Sequence, residues 1–219
     1  MSTEQQQHHE PQDTSSDGIH VLVDQVIAHL QQDLKINFVA FDFDHTILSI
    51  HTGGHWGGSV KELCQHVRPS VAALLPRLVA RPDMYCAIVT FSSQPAMVRS
   101  VVDFILSKNK KKKAVLLPIR AEDGSWKTPS AVSSREEEWW KEDEFGLDTD
   151  DLEGKQPHMV SAVEELEFLV PGLEIHKAST VLIDDDKNNI RIARDNGVRA
   201  VWLDPKNPQQ LLADLKQLK

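Results

Sequence analysis

The sequence predicts an α/β chain, a doubly wound parallel sheet of about five strands, on three observations. Short apolar runs recur at 36–42, 85–90 and 180–183, the composition of strands buried on both faces. Between them lie segments with apolar residues at helical spacing, such as Met97, Val98, Val101, Val102 and Ile105. The first and last runs end in acids, Asp42 and Asp44 in one and Asp184 and Asp185 in the other. Ligands in open α/β sheets bind at the carboxyl ends of strands, so these acids are the first candidates for a site.

Residues 1–18 are rich in Gln, His, Ser, Asp and Glu without apolar periodicity, and predict a disordered tail in which His8 and His9 are solvated. One domain, 19–219, follows. Val21, Leu22, Ile27 and Leu30 predict a helix over 19–34, and the first strand is 36–42. Ile50 to Ser59 carries four glycines around His55 and Trp56, a density that marks tight turns. Two readings stay open there: His55 and Trp56 face a substrate, or the stretch is a surface turn anchored by Trp56. Residues 59–80 read as helical segments broken at Pro69, with Pro76 a second candidate break.

The second strand is 85–90, and a helix over 95–107 leads to the run Lys108 to Lys113. That run reads as a solvated helix end favoured by the dipole, with a nuclear-import or anion-binding patch as the alternative. A third strand is expected at 114–119. In 120–154 Trp126, Trp139 and Trp140 are interleaved with ten acids between Glu136 and Glu153. This insert reads as a loop with short helical pieces whose tryptophans cover a sheet edge, or form a lid or partner surface. A helix opens after Gly154 and Lys155 and runs through Val163, Leu166 and Leu169. Strand 180–183, a helix closing at Gly197, a fifth strand at 199–203 and a helix at 208–218 complete the chain.

Composition narrows the function. A net charge of −9 on 219 residues argues against general nucleic-acid binding and suits a cation-dependent site. The two cysteines, Cys64 and Cys86, read as buried free thiols in a reducing compartment. With no apolar segment of membrane-span length, the expectation is a soluble, cytoplasmic protein, a nuclear location staying open through the lysine run.

The residues themselves indicate a reaction type. Asn37 to Leu48 reads NFVAFDFDHTIL, a strand delivering Asp42, Asp44 and Thr46 to its end. Where two acids stand together, one carboxylate can attack while its neighbour handles protons. The second strand closes on Thr90, followed by Phe91 and Ser92, though a Thr at a strand end is common for β-propensity alone. Asp184, Asp185 and Asn189 supply hard oxygen donors of the kind Mg²⁺ prefers.

The DFDHT stretch, the strand closing on Thr90, Lys155 before a helix and the DDDKNN stretch occur in order, and together resemble the haloacid dehalogenase superfamily over 36–205. The resemblance implies a Rossmann-like fold and a phosphatase. Asp42 would be the nucleophile that forms an aspartyl-phosphate, and Asp44 the acid and base. Mg²⁺ would be held by Asp42, the Asp44 backbone carbonyl and Asp185, with Asp184 and Asn189 in support. Thr90, Phe91, Ser92 and Lys155 would bind the phosphoryl group, Lys127 and Lys141 being poorer candidates than Lys155, while Thr46 would steady the turn. His45 is a less usual residue in this motif and receives no role. Only about 40 residues separate the first two strands, too few for the helical cap that many members insert there. The expected substrate is a phosphorylated small molecule or protein. The rival readings are a non-catalytic binding module on the same scaffold and a phosphotransferase.

Overall fold

The computed structural model describes residues 16–107, 115–122 and 154–219. The tail 1–15, the Lys108–Lys113 run and most of the acidic insert, with Lys127, Lys141 and its three tryptophans, lie outside the described residues. Five parallel strands form one sheet in the order β3-β2-β1-β4-β5. They are β1 Phe38–Phe41, β2 Tyr85–Val89, β3 Ile119–Arg120, β4 Thr180–Asp184 and β5 Arg199–Trp202. The doubly wound, Rossmann-like α/β expectation is met.

Alternation along each strand sorts its side chains into two layers. Val39 and Phe41 of β1, Cys86 and Ile88 of β2, and Val181 and Ile183 of β4 point to one face. There they meet helices α1 (Ser16–Ala28), α3 (Pro69–Leu78), α4 (Pro95–Ser107) and α7 (Leu211–Gln217). Phe38, Ala40, Ala87 and Leu182 point to the other, against α5 (Gln156–Leu169) and α6 (Lys187–Asp195). A four-residue helix, α2 (Val60–Leu63), is closed by a capping box between Ser59 and Glu62. Cys64 and Cys86 are buried free thiols, and burial pushes the Cys86 thiol up.

Several bounds differ from expectation for identifiable reasons. α1 starts at Ser16 and gives way to a wide turn, His29–Asp33, instead of continuing to 34. The helical segments break before Pro69 as expected, and Pro69 itself opens α3, because the first turn needs no N–H from it. Pro76 lies within α3, which continues unbroken to Leu78. The third strand is two residues long instead of six: Pro118, which lacks an N–H, precedes it and offers only its carbonyl, to Ile88 (3.0 Å). Trp56 packs partly buried against the first layer, its backbone paired with the Gln94 side chain, while His55 is exposed. No helix among the described residues is long and apolar enough to cross a membrane.

The chain end is fastened to α1 through His29. Its Nε2 donates to Leu218 O (2.9 Å), and its Nδ1 lies 2.7 Å from Asp33 Oδ2. Its pKa is raised, first by the Asp33 hydrogen bond and then by the Leu218 carbonyl. A folded-state pKa above the unfolded one gives stability that is full below the unfolded pKa and fades as pH rises through the folded one. The stability difference between wild type and His29→Ala, measured by urea unfolding, should therefore be largest near pH 6 and shrink by pH 9. A difference that grows with pH would contradict the imidazolium clamp.

Candidate active site

The parallel register builds the site. Phe41 pairs with Ile88 of β2 and Ile183 of β4, so the next residues, Asp42 and Asp184, come level at the carboxyl edge beside Val89. Asp42 N–H donates to Ile183 O (2.9 Å), continuing the ladder one residue past β1. β1 lies where the sheet order reverses direction, and a cavity of about 290 Å³ opens there.

Nine candidates from the sequence line this cavity, Asp42, Asp44, Thr90, Phe91, Ser92, Lys155, Asp184, Asp185 and Asn189, while Thr46, His55 and Trp56 do not. Lys155 Nζ lies 3.0 Å from Asp42 Oδ1, and both side chains are buried. The same ammonium stands 3.4 Å from the centre of the Phe91 ring, a cation–π contact. Gly154 makes this placement possible. Its φ is +54°, and a Cβ there would come within 3.3 Å of Asn189 Oδ1 and of the Ile192 side chain. Thr90 Oγ1 accepts from Ser92 N–H (3.1 Å), which leaves the hydroxyl proton free for another acceptor.

Asp42, Asp184 and Asp185 each offer an oxygen within 4.8 Å of the others, the one such group among the described residues. Asp184 is itself held by Asp186 N–H (2.8 Å) and the Asn189 side-chain amide (2.9 Å). Asp185 accepts from Thr46 Oγ1 (3.3 Å), so Thr46 ties the first acidic stretch to the last. Burial pushes Asp42 up to about 6, against the pull of Lys155, and the Asp185 charge adds to the rise. Asp184 is raised well above the carboxylate range by burial and then by Asp42. Asp185 is raised by burial, with the charge of His45 and its hydrogen bonds opposing. One ammonium among three crowded carboxylates leaves negative charge uncompensated, and oxygen-only donors of this kind fit a hard divalent cation.

Asp44 is placed differently from the other acids. Its carboxylate is gripped by Thr52, whose N–H and Oγ1 donate to its two oxygens at 3.1 and 2.9 Å. His51 Nδ1 is 3.6 Å from the same carboxylate. The sequence singled out neither Thr52 nor His51, eight and seven residues beyond Asp44 in the glycine-rich stretch. His45 and Gly54 also line the cavity. His45 adopts φ +53°, costly for a residue with a Cβ, and its Nδ1 is buried without a hydrogen-bond partner.

These shifts have a sign. A carboxyl group with a raised folded pKa keeps protons that the unfolded chain releases, so stability falls as pH rises between the two values. Without divalent cation, thermal stability should fall between pH 4 and pH 7, and Mg²⁺ should restore it at pH 7. Asp184→Asn removes one buried charge. It should melt about 2 °C or more above the wild type at pH 7 without cation and lose most of the Mg²⁺ response. A Mg²⁺ response of wild-type size in Asp184→Asn would remove Asp184 from the cation site.

Against protein-family models, curated proteins and solved structures the chain finds no match, so the geometry of the site itself speaks for its chemistry.

Proposed function

We propose that this protein is a Mg²⁺-dependent phosphomonoester hydrolase of the haloacid dehalogenase type, acting through an aspartyl-phosphate on Asp42. The observation that carries the proposal is the buried Asp42–Lys155 pair at 3.0 Å, with Asp184 and Asp185 beside it and Thr90 at the end of the adjacent strand. A carboxylate at a strand end, flanked by a fixed cation and anion-binding hydroxyls, is arranged for attack on phosphorus rather than for structure alone.

Asp42, Asp184 and Asp185 would hold the cation, with the Asp44 backbone carbonyl and Asn189 in support. When bound, Mg²⁺ would supply positive charge to the phosphoryl oxygens and let the crowded carboxylates stay ionised. The Thr90 hydroxyl, the N–H groups following it and the Lys155 ammonium would take the phosphoryl oxygens. An Asp42 oxygen attacks phosphorus as the ester P–O bond breaks, and Asp44 delivers a proton to the departing oxygen. Asp44 then takes a proton from water, whose oxygen attacks the same phosphorus and releases Asp42 and inorganic phosphate. Thr52 aims the Asp44 carboxylate throughout. Among the described residues no cap covers the carboxyl edge, which suits a phosphorylated small molecule or a phosphoprotein.

Hydrolysis of p-nitrophenyl phosphate should stop with excess chelator and return with Mg²⁺. Asp42→Asn should lower turnover by roughly three orders of magnitude or more, the loss of a covalent nucleophile. Asp44→Asn mixed with the same ester should accumulate one added phosphoryl group by intact mass, because its activated leaving group needs less acid help. The Asp42→Asn, Asp44→Asn double variant should show none. Full activity in Asp42→Asn would place the nucleophile elsewhere. A wild type that neither hydrolyses esters nor forms the adduct would favour a binding module, and preferential transfer to an added alcohol would favour a phosphotransferase.

A further inference from the structure

The turn that carries Asp44 is held from behind by a residue with no part in the chemistry above. Between β1 and Leu48 the chain makes a wide turn closed by Leu48 N–H to Phe43 O (3.0 Å). Inside it Asp44 is extended (φ −67°, ψ 138°) and His45 is left-handed. Neither conformation satisfies the turn's carbonyls internally, and buried carbonyls need donors. Arg68, 5% exposed and just ahead of α3, provides them. Its backbone N–H donates to Ile47 O (2.9 Å), and its Nε donates to both His45 O (3.0 Å) and Leu48 O (3.2 Å). The neighbouring chain adds an antiparallel bridge between Leu48 and Val67 and a bond from Ser49 N–H to His66 O (2.8 Å).

Arg68 also brings charge to this place. Burial works against its guanidinium, and the Asp185 carboxylate supports it. An arginine stays protonated under such burial where a lysine gives up its proton more readily, and its single Nε–H is shared between the His45 and Leu48 carbonyls.

We infer that Arg68 is a positioning residue of the active site: by holding the carbonyls of His45, Ile47 and Leu48 it fixes where the Asp44 main chain and side chain fall against Asp42. It acts through the turn rather than on the substrate. The kinetic part of this role rests on the hydrolase reading; the cation-binding part does not.

The test uses the full chain with Arg68→Met, which keeps the apolar stem, and Arg68→Lys, which keeps the charge. Mn²⁺ binding by calorimetry, thermal melting, and kcat and KM on p-nitrophenyl phosphate with saturating Mg²⁺ are measured for each. In Arg68→Met, kcat should fall roughly 100-fold with KM near the wild-type value, and Mn²⁺ binding should weaken about tenfold. Arg68→Lys should recover part of both. Wild-type kcat and Mn²⁺ affinity in a folded Arg68→Met protein would overturn the inference. So would variants that lose only thermal stability, or the failure of both to fold, since either makes the role structural. If Arg68→Met does not fold, Arg68→Lys decides on the same readouts. Weakened Mn²⁺ binding together with a wild type that hydrolyses no ester would leave the positioning role standing and the hydrolase reading overturned.

Discussion

A carboxylate buried at the end of a central strand must be answered by charge or hydrogen bonds, and the protein's architecture follows from how Asp42 is answered. The cost of desolvating a charge is several kcal/mol even after relaxation, so an unpaired Asp42 would stay protonated or leave the core. Lys155 supplies the answering charge at 3.0 Å, itself buried, and the Phe91 ring covers the ammonium. For Lys155 to be there, the chain must pass Asn189 and Ile192 without a side chain at Gly154 and then turn into α5. The α5 face must in turn bury Met159, Val163 and Leu166 against β1, β2 and β4. One ion pair thus links the sheet, a glycine and a helix on the second layer.

The two walls of the cavity are built on different terms. The floor comes from strand ends, where register brings Asp42 and Asp184 to one level, with Thr90 one residue further along beside them, and layers of buried residues on both faces prevent slippage. The opposite wall comes from the turn after β1 and the glycine-rich stretch, held by individual hydrogen bonds. Thr52 grips Asp44, Ser93 holds Gly54 O through its N–H and hydroxyl, and Gln94 pairs with the Trp56 backbone. This division suits a site in which charge is fixed by the rigid sheet while the proton-handling acid rides on a separately tied loop.

Elements governed by near neighbours were readable along the chain. An apolar run ending in acids implies a buried strand with carboxylates at its end, because strand burial and the solvent boundary lie within a few residues of each other. β1, β2 and β4 were therefore legible, and so was α4 from its period. β3 was overestimated because an apolar run says nothing about a partner's donors, and Pro118 interrupts them. The break at Pro69 was legible, whereas Pro76 does not break its helix, which continues through it to Leu78.

The Thr90 and Lys155 positions were picked out by the family resemblance; what the sequence determined by itself is the order of apolar strands, the two acidic strand ends and hence the doubly wound class. These depend on pattern and spacing within short windows. Only the tertiary structure decided that Asp44 is held by Thr52, that Arg68 lies behind the turn, and that His45 sits strained on the cavity wall. Thr52 acts across eight residues, Arg68 across twenty-three and Lys155 across more than a hundred. Hydrogen bonds and ion pairs are set by distance and direction in space, and a chain carries no local mark of which donor will meet which acceptor once it has folded.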